Sequence, residues 1–174
     1  MKSNTSDKTR FAQKRGQGIL KDYKPWILVH EISSSGVSWR IRGRKTGRVH
    51  HLLSTLEKLV FLHLDSRKEV LDIREQFPLS LDETLRISDS FNIKHGQDQG
   101  EFKVMTSDFL IDLPGKQIVL SVKPRENITR RVVQKFQIEW AYWREQNVDF
   151  FVVTEEEIAN LTNLTIWNTQ SAVC

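Results

Sequence analysis

The sequence predicts a single mixed α/β domain, in which paired strands in the middle of the chain are flanked by helices. The chain has 174 residues, a length typical of one domain. Hydrophobic residues make up 39% of it, which is enough for a core. Two strand-like runs meet at the turn Pro114-Gly115, and segments with helical periodicity precede and follow them.

The first third of the chain is strongly basic. Residues 1–51 contain twelve Lys or Arg and three Asp or Glu, whereas the rest of the chain contains fourteen and nineteen. Such a segment favours contact with a polyanion, and the alternative is a solvated tail. We expect residues 1–24 to form a flexible basic arm, residues 25–168 the folded domain, and residues 169–174 a tail.

The sequence also disfavours several classes of protein. It contains no apolar run near the roughly 18 residues of a membrane span, and its N-terminus lacks the apolar segment of a secretory signal. The single cysteine, Cys174, cannot form an internal disulfide bond. We therefore expect a cytoplasmic protein that does not enter a membrane.

Local patterns predict the elements in order. Trp26–His30 is typical of a short strand or anchoring segment. Val37–Arg48 alternates apolar and basic residues, which suits a ribbon or loop with one basic side. The remaining elements are a helix at 51–65, a strand at 69–77, a helix begun by the capping box Ser80-x-x-Glu83, strands at 102–113 and 117–123, a helix at 128–146, a strand at 148–153 and a short helix after Thr154.

One carboxylate stands out in the first of these helices. Glu57 falls on an apolar stripe with Leu53, Val60, Phe61 and Leu64. A carboxylate among such neighbours is costly unless it is paired or binds a cation.

The predicted hairpin places two further charged residues together. If Leu113 and Lys116 flank the turn, paired residues have numbers that sum to 229, and Asp108 lies opposite Ser121. Lys123 then becomes a diagonal neighbour of Asp108 on a polar face. The other face is wholly apolar and is expected to be core; it carries Phe109, Ile111, Ile118, Leu120 and Val122.

A Glu on a helix followed by Asp and Lys on a hairpin is typical of a metal-dependent nuclease. Glu57 and Asp108 would hold Mg²⁺, or Mn²⁺ as a substitute, with the backbone carbonyl of Val122 as a third ligand and Ser121 acting through a water. Lys123 would orient or deprotonate the attacking water, or stabilise developing negative charge. The alternative is an ordinary ion pair between Asp108 and Lys123, with Glu57 in solvent.

Two further groups of residues are candidates for supporting roles. Glu139 is either an accessory ligand or partner of Lys123, or a member of a structural salt bridge with Lys135. A basic group before the first helix is placed to hold DNA phosphates, unless it is simply an exposed basic loop. Its members are Arg40, Arg42, Arg44, Lys45 and Arg48.

Five segments of the chain closely resemble one known family. They are HEISSSGVSWRIRGRKTGRVHHLLSTLEKLVFLHL, VLDIREQFPL, VMTSDFLIDL, LSVKP and KFQIEWAYWREQNVDFFVVTEEEI. They resemble the N-terminal domain of TnsA, the endonuclease subunit of heteromeric cut-and-paste bacterial transposons. The resemblance implies a restriction-endonuclease-like fold, and it carries the family's catalytic Glu, Asp and Lys onto Glu57, Asp108 and Lys123.

The resemblance also implies a function and partners. The protein would act in the bacterial cytoplasm and cut the 5′ strands at transposon ends, while a TnsB-like transposase makes the 3′ cuts. A TnsC-like AAA+ regulator would link them to the target, through a C-terminal domain that family members often carry; this sequence reaches Cys174 soon after the nuclease-like part. Restriction-like nucleases often have an acidic residue where Ser121 stands. A non-catalytic DNA-binding or scaffolding subunit and a stand-alone repair nuclease of the same fold are therefore the alternatives.

Overall fold

A computed structural model of the chain describes residues 5–32, 36–98 and 100–159. Helices and strands both occur along this range, in a mixed order. In chain order the elements are α1 (Asp7–Ala12), β1 (Trp39–Arg42), β2 (Val49–Leu52), α2 (Thr55–Ser66), β3 (Asp72–Pro78), α3 (Leu81–Ser90), β4 (Gln97–Asp98), β5 (Glu101–Phe102), β6 (Thr106–Leu113), β7 (Lys116–Val122), α4 (Arg130–Glu145), β8 (Asp149–Val153) and α5 (Glu155–Ala159).

A mixed four-stranded sheet forms the centre of the molecule. Its strand order is β3-β6-β7-β8, with β3, β6 and β7 antiparallel and β8 parallel to β7. In the β6–β7 hairpin, Phe109 pairs with Leu120 and Leu113 with Lys116, which confirms the predicted register. The strands β1 and β2 form a separate hairpin. The predicted α/β fold class is therefore confirmed.

Helices cover both faces of this sheet, so that it separates two hydrophobic cores. In the α2 core, Phe61 and Leu64 of α2 pack with the predicted apolar face of the hairpin, including Phe109 and Leu120. The opposite face is not simply polar, as the alternation along the hairpin predicted. Its Leu110 and Val119 are buried in a second cluster, the α4 core, with Ile138 and Trp143 of α4. A sheet packed between helices buries apolar side chains on both sides.

Strand β3 contributes to both cores because one of its residues is left-handed. Ile73 lies in the α2 core, whereas Phe77 packs against the α4 core. Residues four apart in a regular strand share a face. Between them Gln76 has a φ of +49°, a conformation that is uncommon for a residue other than glycine. The strand therefore exchanges its faces at Gln76.

The N-terminal segment contacts the rest of the domain over its described part, residues 5–24, and its flexibility stays a prediction. It contains α1, and Tyr23 is only 3% exposed. Both terminal nitrogens of Arg15 donate to the Glu31 carboxylate at 2.7 Å. Burial alone would raise the pKa of Glu31, but the bonds from Arg15 and Thr5 lower it to about 2. Part of the positive charge of this segment is thus satisfied within the chain. The predicted tail at 169–174 lies outside the described residues.

One helix begins later than its sequence pattern predicted, and another exposes a large aromatic residue. α2 begins at Thr55 rather than at His51, because His51 and Leu52 pair with β1 in the hairpin. On α4, Trp140 is 43% exposed, since the helix turns Ile138 and Tyr142 toward the sheet instead. In the described ranges, none of the helices combines the length and apolar character needed to cross a membrane.

Candidate active site

Glu57 is held at the start of α2 by the backbone and side chain of its own helix terminus. Its side chain is buried, the Leu53 N–H donates to Oε2 at 2.8 Å, and the Ser54 hydroxyl donates to Oε1 at 3.0 Å. Ser54 also caps the helix by accepting a hydrogen bond from the Glu57 N–H. The positive end of the helix dipole favours a negative charge here. The sequence therefore positions this carboxylate through a helix cap.

Asp108 lies on β6, directly beyond the last backbone pair between β6 and β7. The backbone pairs of the hairpin run from Leu113–Lys116 to Phe109–Leu120. Beyond them the Val122 N–H donates to Asp108 Oδ2 at 2.6 Å. This bond fixes the carboxylate beside the end of β7, next to Lys123.

Gln76 connects these two carboxylates, and sequence reasoning missed it. Its Nε2 donates to Glu57 Oε2 and to Asp108 Oδ1, each at 3.4 Å. Its Oε1 accepts a hydrogen bond from the Thr106 hydroxyl at 3.3 Å. The signal in the sequence was a neutral amide within a predicted strand. The alternation of residues along that strand does not reveal that Gln76 faces both acids.

Glu139 approaches the same region from α4. It is buried, and the Ser121 hydroxyl donates a short hydrogen bond to its Oε2. The alternative of a salt bridge with Lys135 is not seen among the described residues, where salt bridges involve other acids, although Lys135 lowers the pKa of Glu139. Ser121 thus directs its hydrogen to Glu139, and its predicted water-mediated role at a metal stays a prediction.

Among the described residues none of these three carboxylates forms an ion pair, although Lys123 lowers the pKa of Asp108 and Lys135 that of Glu139. Burial, then the nearby Asp108, raises the pKa of Glu57 to about 8. Burial raises the pKa of Asp108 to about 6 against the opposing effects of the Val122 N–H, Gln76 and Lys123. Burial and Asp108 raise the pKa of Glu139 to about 8, although the Ser121 bond opposes this. Buried acids with raised pKa values and no ion pair are candidates for binding a cation.

The donor set suits magnesium better than zinc. In the described residues, no three His, Cys, Asp or Glu side chains are grouped so that they could hold a metal. Mg²⁺ is commonly held by only one or two carboxylates, with waters and substrate oxygens completing its shell. Glu57, Asp108 and the carbonyl of Val122 fit that requirement, and Lys123 follows directly in the chain. The assignment of these ligands remains a prediction.

The basic residues predicted to hold DNA do not all reach the surface. Arg40 and Arg42 are exposed on β1, and Arg44 is exposed in the following turn. The backbone N–H groups of Arg44 and Lys45 donate to Asp65, which fixes that turn.

Arg48 corrects the prediction for this basic group. Its guanidinium is buried and donates to both oxygens of Glu75, at 2.8 and 2.6 Å, and to the carbonyls of Ile73 and Leu20. These bonds join the hairpin to β3. Because its donors are engaged inside the protein, Arg48 is not free to bind a DNA phosphate.

The mixed sheet between helices is the architecture of a restriction-endonuclease-like nuclease domain. A family model described as the TnsA-like endonuclease N-terminal domain matches residues 67–155, slightly more than half of the chain, and this range includes Asp108, Lys123 and Glu139. Transposon Tn7 transposition protein TnsA of Escherichia coli is 46% identical over 153 residues, which cover 86% of this chain and 56% of that protein. The chain belongs to the TnsA-like endonuclease family. It spans about half the length of this curated relative.

Proposed function

We propose that this chain is the subunit of a cut-and-paste transposition system that hydrolyses DNA at the transposon ends. The observation that carries the proposal is the pair Glu57 and Asp108, which are linked through Gln76 and form no ion pair within the described ranges. Membership of the TnsA-like endonuclease family supports the reaction class. Glu57, Asp108 and Lys123 are the proposed catalytic residues.

The proposed cofactor is Mg²⁺, for which Mn²⁺ would substitute. Glu57, Asp108 and the carbonyl of Val122 would hold it, and when bound it would supply positive charge for the phosphate and make a water more acidic. Lys123 would orient or deprotonate the attacking water, or stabilise the charge that develops on the phosphate. Glu139 is the proposed accessory acid, since it lies near enough to Asp108 for the charge of Asp108 to raise its pKa.

The proposed substrate and partners follow from the family. The chain would cut the 5′ strands, a TnsB-like transposase would make the 3′ cuts, and a TnsC-like AAA+ regulator would connect both to target DNA. The name of the Escherichia coli relative, a transposition protein, supports a role in transposition. Exposed Arg40, Arg42 and Arg44, with Lys45, would contact phosphates and so position the duplex without reading its sequence.

Cleavage by the Asp108→Ala variant tests the proposal. The chain is combined with its transposase and a duplex that carries a transposon end, and nicks in the 5′ strand are mapped on a labelled substrate with Mg²⁺. We expect wild type to cut and Asp108→Ala to give no detectable product, because the proposed metal loses one of two carboxylates.

Asp112→Asn is the matched control. Asp112 lies on the same strand but forms an ion pair with Arg74, so this variant should cut like wild type. Circular dichroism checks that both variants are folded. Cleavage by Asp108→Ala at the wild-type rate contradicts the proposal. Assembly of the wild-type chain on the DNA without any cut would indicate a scaffolding subunit instead.

A further inference from the structure

Gln76 has a combination of properties that its place in a strand does not require. Its side chain is 2% exposed, and its backbone is left-handed. The backbone on either side is held by the pairing of Glu75 with Phe109 and of Phe77 with Ser107. In addition, the Trp26 N–H donates to the Gln76 carbonyl at 3.1 Å. A conformation that costs energy is thus imposed from both sides.

The surroundings determine which way the Gln76 amide points. The NH₂ group faces Glu57 and Asp108, and this orientation suits carboxylate ions, which only accept hydrogen bonds. The reverse orientation would place the amide oxygen against two carboxylates. With the nitrogen toward the acids, Thr106 donates to the oxygen on the other side. Every polar atom of the amide is then satisfied.

The neutral amide has an effect that a cationic side chain in the same place would not have. An arginine between the two acids would neutralise them, as Arg48 neutralises Glu75 nearby. The amide restricts both carboxylates through hydrogen bonds of 3.4 Å and leaves their negative charge for another cation.

We propose that Gln76 is a positioning residue that holds Glu57 and Asp108 in the arrangement that binds a divalent cation. This inference rests on the proposed function, since it concerns the same carboxylates. Gln76 acts through Glu57 and Asp108 and does not touch the reacting atoms. Partners that orient metal ligands in this way typically change metal affinity by about 10- to 100-fold when they are substituted.

Mn²⁺ binding by the Gln76→Met variant tests the inference. Methionine has a similar length but cannot donate a hydrogen bond. Calorimetric titration of the full chain with Mn²⁺ should give a dissociation constant at least about tenfold higher than that of wild type. The matched control is Gln117→Met, because Gln117 donates to a carboxylate on the same sheet, Asp112, at 2.7 Å. This control should bind Mn²⁺ like wild type. Binding by Gln76→Met that is equal to or tighter than wild type overturns the inference.

A second variant keeps the test decisive if methionine disturbs folding. Gln76→Glu preserves the shape and the acceptor for Thr106, but it replaces the donating group with a third carboxylate oxygen. Without metal, its Tm should fall below that of wild type because three acids repel one another. Added Mn²⁺ should raise its Tm by more than it raises that of wild type. Identical Tm values for the two proteins under both conditions would mean that the amide does not contact the acids, and the inference falls.

The same titration separates this inference from the proposed function. If Asp108→Ala loses Mn²⁺ binding while Gln76→Met retains it, only the role of Gln76 is wrong. If wild type fails to bind Mn²⁺ with or without duplex DNA, or if Asp108→Ala binds as well as wild type, the metal centre itself is wrong and the role of Gln76 falls with it.

Discussion

Buried carboxylates with lowered and with raised pKa values lie side by side in this molecule. Burial would raise the pKa of Glu75, but His50 and Arg48, which both donate to it, lower it to about 2. The next residue of β3 is Gln76, which contacts Glu57 and Asp108. The pKa values of these two acids are raised to about 8 and about 6, mainly by burial. Burial alone therefore does not identify a functional acid. The two sets differ in pairing: Glu75 is paired with Arg48, whereas Glu57 and Asp108 form no ion pair among the described residues.

Neutralising Glu75 and Glu57 in separate variants should give the largest difference in stability between the two sets. Glu75→Gln leaves Arg48 buried without its counter-charge and turns amide hydrogens toward donors. We expect a loss of about 3–5 kcal/mol in the free energy of unfolding, measured by urea denaturation.

Glu57→Gln is the matched substitution on the other side of the comparison. Its amide oxygen can accept from the Leu53 N–H, and its NH₂ can donate to the Ser54 hydroxyl oxygen, so that only the Ser54 O–H loses its acceptor. We expect the free energy of unfolding to change by no more than about 1 kcal/mol, because most of the hydrogen bonds of this side chain are kept. A loss as large as that of Glu75→Gln would show that Glu57 is a structural acid and would remove the distinction between the two sets.

The two sets should also shape the pH dependence of stability in opposite directions. Glu31 and Glu75 have pKa values lowered to about 2, so their contribution is present above about pH 4.5 and is lost as the pH falls toward 2. Glu57, Asp108 and Glu139 have raised pKa values, so the metal-free folded state binds their protons more tightly than the unfolded state. Their contribution is full below about pH 4 and is lost as the pH rises toward 8.

The Tm of the chain in a chelator should therefore be highest near pH 5 and should fall toward pH 8. A loss of each kcal/mol corresponds to about 2–4 °C for a chain of this size. Mn²⁺ should restore Tm most strongly at pH 8, because it competes with fewer protons there. In the double variant Glu57→Gln, Asp108→Asn, the fall above pH 5 should be smaller. A metal-free Tm that rises between pH 5 and 8 in wild type would contradict the raised pKa values.

The smallest effect is expected at the exposed arginines of the β1–β2 hairpin, which contrast with buried Arg48. The double variant Arg40→Ala, Arg42→Ala should keep its stability within about 0.5 kcal/mol, as is usual for surface changes. The slope of log affinity for DNA against log salt should become shallower by about 1 for each phosphate that the variant no longer neutralises.

Arg86→Ala controls for the loss of positive charge in general, because Arg86 is exposed on α3 and pairs with Glu145. Its salt slope should match that of wild type. A slope in the hairpin variant that also matches wild type would move the DNA-binding surface away from this hairpin.

Local signals in the sequence were sufficient for the hairpin and for several helix starts. The Pro114-Gly115 turn fixes the β6–β7 register, and this places Asp108 near the end of β7. Ser80 marks the start of α3, where its side chain caps the Glu83 N–H as predicted. These features depend on neighbours a few residues away, so that pattern and turn chemistry suffice to predict them.

Features that depend on distant partners could not be predicted in the same way. Arg48 shares its charge and its alternating pattern with exposed Arg40, and only its distance from Glu75 in the fold distinguishes them. The bond between Arg15 and Glu31 likewise joins residues that are 16 apart in the sequence. The role of Gln76 depends on one left-handed backbone angle, which the strand pattern around it does not signal.

The origin of the carboxylates in different elements has a consequence for the order of folding. Glu57 belongs to α2, Asp108 to β6 and Glu139 to α4, and the two helices pack on opposite faces of the sheet. Contacts between distant parts of a chain form only after the entropy of closing the intervening loops has been overcome. We therefore expect the acids to approach one another only once both cores have packed. Their repulsion would then accelerate unfolding while leaving the rate of folding nearly unchanged.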